Sequence, residues 1–193
     1  MWHNQGVGTD GENSSEGSGR RRTPRPLDEE RLRELALHYV GRFATTRAKL
    51  ATYLGRKLRE RGWAGEGAPD LPALVERLAD LGYVDDRAFA EARARSMARK
   101  GLGARRITQD FRAAGIDEGD AAELAPAIAE RASDAALAFA RRRRIGPFGD
   151  GNPDRAVREK QIAAMLRAGH GFDLARRIVS LAPGEALGDC DEG

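Results

Sequence analysis

Apolar positions along the chain recur at intervals of three and four residues, the signature of one buried face of an α-helix. In "LDEERLRELALHYVGRF", residues 27–43, the residues Leu32, Leu35, Ala36, Tyr39, Val40 and Phe43 share such a face. Asp28 is placed to cap this helix, and Leu27 with Leu32 to staple the chain across the cap. "TTRAKLATYLGRKLRERG", residues 45–62, predicts a second helix capped by Thr45 or Thr46, with Leu50, Leu54 and Leu58 inward and Gly62 as its stop. "DLPALVERLADLG", residues 70–82, predicts a third, with Leu74, Val75, Leu78 and Leu81 inward. Pro72 falls in its first turn, where a missing N–H costs little. No segment alternates with the period of two that a half-buried strand requires, so the predicted fold is all-α.

One punctuation recurs between helical segments. Gly82-Tyr83-Val84-Asp85, Gly115-Ile116-Asp117 and Gly171-Phe172-Asp173 each pair a glycine with a following apolar residue and an aspartate. A left-handed glycine ends one helix, the apolar residue folds back on it, and the aspartate caps the next. Leu78 with Tyr83 and Phe111 with Ile116 have the spacing of that contact. These marks predict an elongated tandem array of three three-helix repeats, at 27–81, 82–125 and 126–182. Residues 1–26, Gly/Ser-rich and ending in "RRRTPRP", read as a disordered basic tail, and 183–193 as a loose acidic one. Pro126 is expected to break or kink the long helical run around it.

Charge changes the picture more than length does. A third of the 193 residues are charged, yet the net charge is only +3. Of the 33 basic residues, Lys49, Lys57, Lys100 and Lys160 are the only lysines and the other 29 are arginine. Guanidinium binds phosphate and carboxylate as a bidentate fork, although a composition rich in Arg, Ala and Gly also follows from a GC-rich genome. Cys190 is the single cysteine, so no intrachain disulfide forms, which points to a reducing compartment. No apolar run nears the roughly 20 residues that span a bilayer, and the N-terminus lacks the apolar core of a secretory signal. A cytoplasmic protein without membrane partners is expected.

Catalytic constellations are missing from the sequence. Asp85 and Asp86 are adjacent, so on a helix their side chains diverge by about 100°. With Asp85 as cap, Val84 and Phe89 fall where a hydrophobic staple would lie. His3, His38 and His170 share no ligand spacing, with one another or with Cys190, that would hold zinc. "GDGNPD", residues 149–154, lacks the alternating ligands and terminal glutamate of a calcium loop. No Gly-rich Lys-Ser/Thr phosphate loop is present. No catalytic residue, metal site or cofactor is therefore assigned.

What remains is a set of basic positions. On the helix after Asp86, Phe89, Ala92, Ser96 and Met97 are read as the inner stripe, leaving Arg93, Arg95, Arg99 and Lys100 outward. The next helix, starting near Gly103, turns Ile107 and Phe111 inward and Arg105, Arg106 and Arg112 outward. Arg141, Arg142, Arg143 and Arg144 end a helix in the third unit. Each group alone is an ordinary solvated face. Stacked repeats would align them into one basic strip for an extended anionic partner. The few aromatics argue against a strong single-strand stacking platform.

"LADLGYVDDRAFAEARARSMARKGLGARRITQDFRAAGID", residues 78–117, resembles the RecX family of regulatory proteins. The shared features are Leu81 to Asp86, Phe89-Ala90, Gly103, Arg105 to Ile107 and Gly115 to Asp117. The resemblance extends upstream through the "TTRAKLATYLGRKLRERG" helix and, more faintly, to "REKQIAAMLRAGHGFDLARRIV". It implies an array of three-helix repeats without enzymatic activity. Its implied role is to bind in the groove of a RecA-like recombinase filament on single-stranded or duplex DNA, acting as a monomer. There such proteins restrain filament growth, ATP hydrolysis, strand exchange and repressor cleavage, in DNA repair, recombination and the SOS response. The alternative left open by the residues is a helical protein that binds DNA directly.

Overall fold

The computed structural model describes residues 25–151 and 153–188, and among these every regular element is helical. The α-helices are α1 (Glu29–Val40), α2 (Arg47–Arg61), α3 (Leu71–Asp80), α4 (Asp86–Arg99), α5 (Ala104–Ala114), α6 (Glu118–Glu130), α7 (Ala132–Arg143), α8 (Arg155–Arg167) and α9 (Phe172–Ser180). A single 3-10 turn, Gly146–Phe148, follows α7. Local chemistry explains the starts. Side chains of Asp28, Thr46, Asp70, Asp85, Asp117 and Asp154 each accept an N–H of the helix they precede.

The helices form a tandem array of three triplets, each around its own apolar cluster. The first joins Leu32 and Ala36 of α1, Leu50 and Leu54 of α2, and Val75 and Leu78 of α3, with Leu27 and Val84. Leu27 is locked in place by a pair of backbone bonds, its N–H to Gly62 O at 2.9 Å and Ala64 N–H to its own carbonyl at 2.8 Å. The second cluster joins Ala90, Ala94 and Met97 of α4 with Ile107, Phe111 and Ala114 of α5, Ile116, and Leu124 of α6. The third takes Phe139, Met165 and Ile178 from α7, α8 and α9. Leu102 touches both the second and third clusters.

The triplets are joined through the ends of their middle helices, α2, α5 and α8. Thr46, the N-cap of α2, donates its hydroxyl to the carbonyl of Ala114, the last residue of α5, at 2.6 Å. Asp86 Oδ1, buried, accepts the Arg47 N–H at 2.9 Å. One triplet later, Gly103 at the start of α5 donates its N–H to Ala168 O at the end of α8, at 2.9 Å. Arg105 N–H reaches Gly169 O at 3.2 Å. In both joints the unsatisfied carbonyls of a later helix meet the N-terminus of an earlier one, so the helix dipoles run head to tail. The approach is close because it passes through glycine. A Cβ on Gly103 would lie 2.4 Å from the Gly169 carbonyl, and one on Gly115 2.2 Å from Ala48 Cβ.

Several expectations change on folding. The inner face of α4 is Asp86, Ala90, Ala94 and Met97 rather than Phe89, Ala92, Ser96 and Met97, because alanines let α4 pack closely where larger residues would hold it off. Val84 and Phe89 do not staple one helix: Val84 enters the first cluster and Phe89 packs on the second. Leu81 and Phe43, placed inward by spacing, are 60% and 53% exposed. The turns at Gly82 and Gly115 are left-handed as expected, with Tyr83 N–H to Leu78 O at 2.9 Å and Ile116 N–H to Phe111 O at 3.0 Å. At the third mark the roles shift. Gly171 (φ −67) starts α9, and Gly169 (φ 94) is the left-handed residue.

Pro126 does not end the helix it interrupts. α6 continues past it to Glu130, and the break falls at Arg131, which caps both α6 and α7. Buried Leu124 and the packed side chain of Ile128 hold the turn on either side of the proline. The tail expected to be disordered lies outside the described residues up to position 24. Residues 183–188, expected to be loose, are tied to the third triplet by Gly184 N–H to Pro147 O at 2.9 Å and Arg177 Nη2 to Gly188 O at 2.9 Å. The remainder of that tail, 189–193, lies outside the described residues.

Two measurements check the joints. Gly103→Ala, which forces a methyl into the Gly169–His170 backbone just after α8, should destabilise the protein by about 1–3 kcal/mol. Gly55→Ala, inside α2 with ordinary neighbour distances, should stabilise by about 0.5–1 kcal/mol in the same urea titration. His170 is 2% exposed and its ring Nε2 lies 3.1 Å from Gly101 O. Burial holds its pKa below the ordinary 6.5, with the Gly101 bond opposing. A depressed folded pKa makes its contribution complete above 6.5 and lost as pH falls through the folded value. Stability should therefore drop from pH 7.5 to 5.5, and His170→Gln should flatten that slope.

Candidate functional site

The arginines of α4 leave the helix on different sides. Arg93 faces α5 and binds Asp110 as a bidentate pair, with Nε and Nη2 at 2.7 and 2.8 Å from its two oxygens. This hydrogen bond holds the Asp110 carboxyl below its usual range, with the charges of Arg93, Lys49 and Arg106 acting in the same direction against partial burial. Arg93 is raised in turn by the same bond. Arg95 and Arg99 turn to the other side. There they line a cleft of about 330 Å³ with Arg131 and Asp134, between α4 and α7. Arg95 also sits 3.5 Å from Glu91.

On α5, Arg106 donates to Gln109 Oε1 at 2.8 Å, while Arg105 and Arg112 are exposed and make no ion pair among the described residues. Lys100 caps α4 and is exposed. At the end of α7, Arg141 lies over the Phe148 ring at 5.0 Å and Arg143 over Phe139 at 5.9 Å. Arg142 reaches back to Gly101, its Nη2 2.7 Å from where a Cβ would stand. Arg144 holds a loose 3.9 Å contact to exposed Asp150. Lys100 and the α7 arginines thus gather near one joint. Arg93, Arg106 and Lys49 gather round Asp110, and Arg95 with Arg99 occupies a separate cleft.

A groove of about 860 Å³ runs between α1, α2 and α5, and it was not expected from the chain. Its lining includes Arg42, Lys49, Arg56 and Arg112 with Tyr39, Phe43 and Tyr53, and no carboxylate. Lys49, Tyr53 and Arg56 sit at helical spacing of four and three, which is the one local signal for it. Among the described residues, no three His, Cys, Asp or Glu side chains are grouped to hold a metal ion. No helix there is long and apolar enough to cross a membrane. The groove wall is therefore cationic and aromatic.

Comparison with known proteins agrees with these helical triplets. The family model for the second three-helix domain of RecX matches residues 85–124. The regulatory protein RecX of Myxococcus xanthus is 33% identical over 168 residues, covering 83% of this chain and 90% of that protein. The chain belongs to the RecX family. The RecX of Agrobacterium fabrum is 30% identical over 160 residues, covering 80% and 84%. A crystal structure of RecX from Lactobacillus salivarius shares the fold, with a TM-score of 0.56 and 20% identity over 78% of this chain and 93% of that one. This RecX-family chain is accordingly a regulator of the RecX type.

The pairing pattern separates its cations by what they can offer a partner. Arg93 is already neutralised by Asp110, whereas Arg105 is not. On a heparin column, Arg105→Ala should therefore elute at clearly lower salt than the parent protein, and Arg93→Ala should move elution less.

Proposed function

We propose that this RecX-type regulator binds a RecA-like recombinase filament on DNA and restrains its growth, ATP hydrolysis, strand exchange and repressor cleavage. The reading places it in DNA repair, recombination and the SOS response, in the cytoplasm and as a monomer. It treats the chain as repeats at 27–81, 82–125 and 126–182, although the last turn of α6 packs with the middle repeat through Ile128.

The observation that carries it is the end-to-end order of the middle helices. At 15, 11 and 13 residues, α2, α5 and α8 give a contour on the order of 60 Å at about 1.5 Å per residue. That length exceeds a single small domain and suits a partner that repeats along an axis. Basic residues punctuate it: Lys49 and Arg56 on α2, Arg105, Arg106 and Arg112 on α5, Lys100 and Arg141 to Arg144 beside the second joint. Many weak contacts on a stiff frame add through effective concentration. Direct coating of DNA is the competing reading, favoured by the carboxylate-free groove at the first joint.

Suppression of a recombinase's DNA-dependent ATP hydrolysis separates the two. A filament regulator should act at ratios well below one per recombinase protomer. Suppression that needs enough protein to coat the DNA would sink the regulator reading. Arg105→Glu combined with Arg106→Glu should weaken filament binding at least tenfold with helicity by circular dichroism unchanged.

A further inference from the structure

Three aromatic rings form a ladder along the basic groove. Tyr53 and Tyr39 are stacked, with centroids 4.1 Å apart and planes 17° apart. Phe43 continues from Tyr39 at 5.3 Å, tilted by 46°. The ladder ends at Phe43, which is 53% exposed. Cations flank it: the Arg42 guanidinium lies 5.9 Å from the Phe43 ring and that of Arg56 5.7 Å from Tyr53. Arg112 reaches the groove from α5, and Lys49 lies over Phe89 at 4.5 Å. Arg56 also holds a 3.7 Å contact to exposed Glu60, while among the described residues Arg42, Lys49 and Arg112 form no ion pair.

We propose that this groove seats single-stranded nucleic acid, with an unpaired base stacked on Phe43 and its flanking phosphates held by Arg42, Lys49, Arg56 and Arg112. Phe43 is the half-exposed, tilted end of the ladder with the Arg42 guanidinium beside it, and a nucleobase can lie against its exposed surface. The same nucleotide brings the phosphate charge that a carboxylate-free wall of cations attracts. A duplex satisfies the cations but hides its base faces. An acidic peptide satisfies the cations and leaves the ring unmatched. The volume of about 860 Å³ accommodates more than one nucleotide unit's contacts. The site deepens the filament reading, which supplies its biological setting, and its geometry stands at the first joint whether or not a recombinase is the partner.

The test uses the full chain and a short oligothymidine carrying one 2-aminopurine. Binding should quench the probe, and Phe43→Ala should lower affinity about five- to a hundredfold and abolish the quench. Phe43→Trp should restore both, and a duplex of the same length should change less than twofold. Arg112→Glu should weaken single-strand binding and flatten its salt dependence. Parent-like binding or quenching by Phe43→Ala would overturn the site. So would tighter binding of a glutamate-rich peptide than of the oligonucleotide, lost in Arg112→Glu, which would give the groove to an acidic protein segment. Recombinase ATP hydrolysis, measured with the same proteins, judges the filament reading separately. If the parent fails to suppress it while Phe43→Ala loses the oligonucleotide, the groove stands and the filament reading falls.

Discussion

Helix ends normally face water, because four N–H groups at one end and four carbonyls at the other lack partners within the helix. Here the ends of the middle helices face each other. The α5 carbonyl at Ala114 meets the Thr46 hydroxyl, and the α8 carbonyl at Ala168 meets the Gly103 N–H. Each contact satisfies groups that burial would otherwise leave unpaired, and it aligns opposite dipole ends. The repeats are therefore held by a hydrogen-bonded seam together with side-chain packing beside it, as where Leu102 touches both the second and third clusters. Asp86 adds to it by capping α2 from the neighbouring triplet. A methyl group at Gly103 has no room to form, so the seam fixes the register of one repeat on the next.

That seam was the least legible part of the sequence. Caps such as Asp28, Asp85 and Asp117 were readable because an N-cap acts on an amide three residues away. The left-handed turns at Gly82 and Gly115 were readable for the same reason. Thr46 with Ala114, and Gly103 with Ala168, lie more than sixty residues apart, and nothing in either segment names the other. Asp86, set beside the cap Asp85 in the sequence, proved to be a buried link between triplets. Ala90 and Ala94 were left out of the inner stripe, since small side chains carry a weak periodic signal even where they allow the closest packing. The basic groove needed α1, α2 and α5 to be brought together, so Phe43 read as one more inward position of the first helix.

The same folding sorts the arginines. A run of positive residues in a sequence counts charge, whereas binding depends on charge not already answered within the molecule. Arg93 is answered in full by Asp110, Arg95 in part by Glu91, and Arg106 is steered by Gln109. Arg144 is met only loosely, by exposed Asp150 at 3.9 Å. It occupies a left-handed turn (φ 51) in which Gly82, Gly101, Gly115 and Gly169 serve elsewhere, and its side chain is 78% exposed. A non-glycine residue there costs roughly 1 kcal/mol of backbone strain.

Stiff joints and scattered cations explain one another. A single exposed arginine gains little from one phosphate in salt, because both are well solvated and the side chain loses rotamer freedom on binding. Several such contacts become useful only when binding the first places the rest within reach, and a flexible linker would dilute that gain. Hydrogen-bonded helix ends hold Arg56, Arg112 and Arg142 at set intervals without a large apolar core between repeats. The array can thus be thin, polar and arginine-rich while keeping its cations at fixed spacing. Its weak point is also clear on this reasoning. Loosening a joint leaves every cation in place and every helix formed, yet removes the fixed spacing between them.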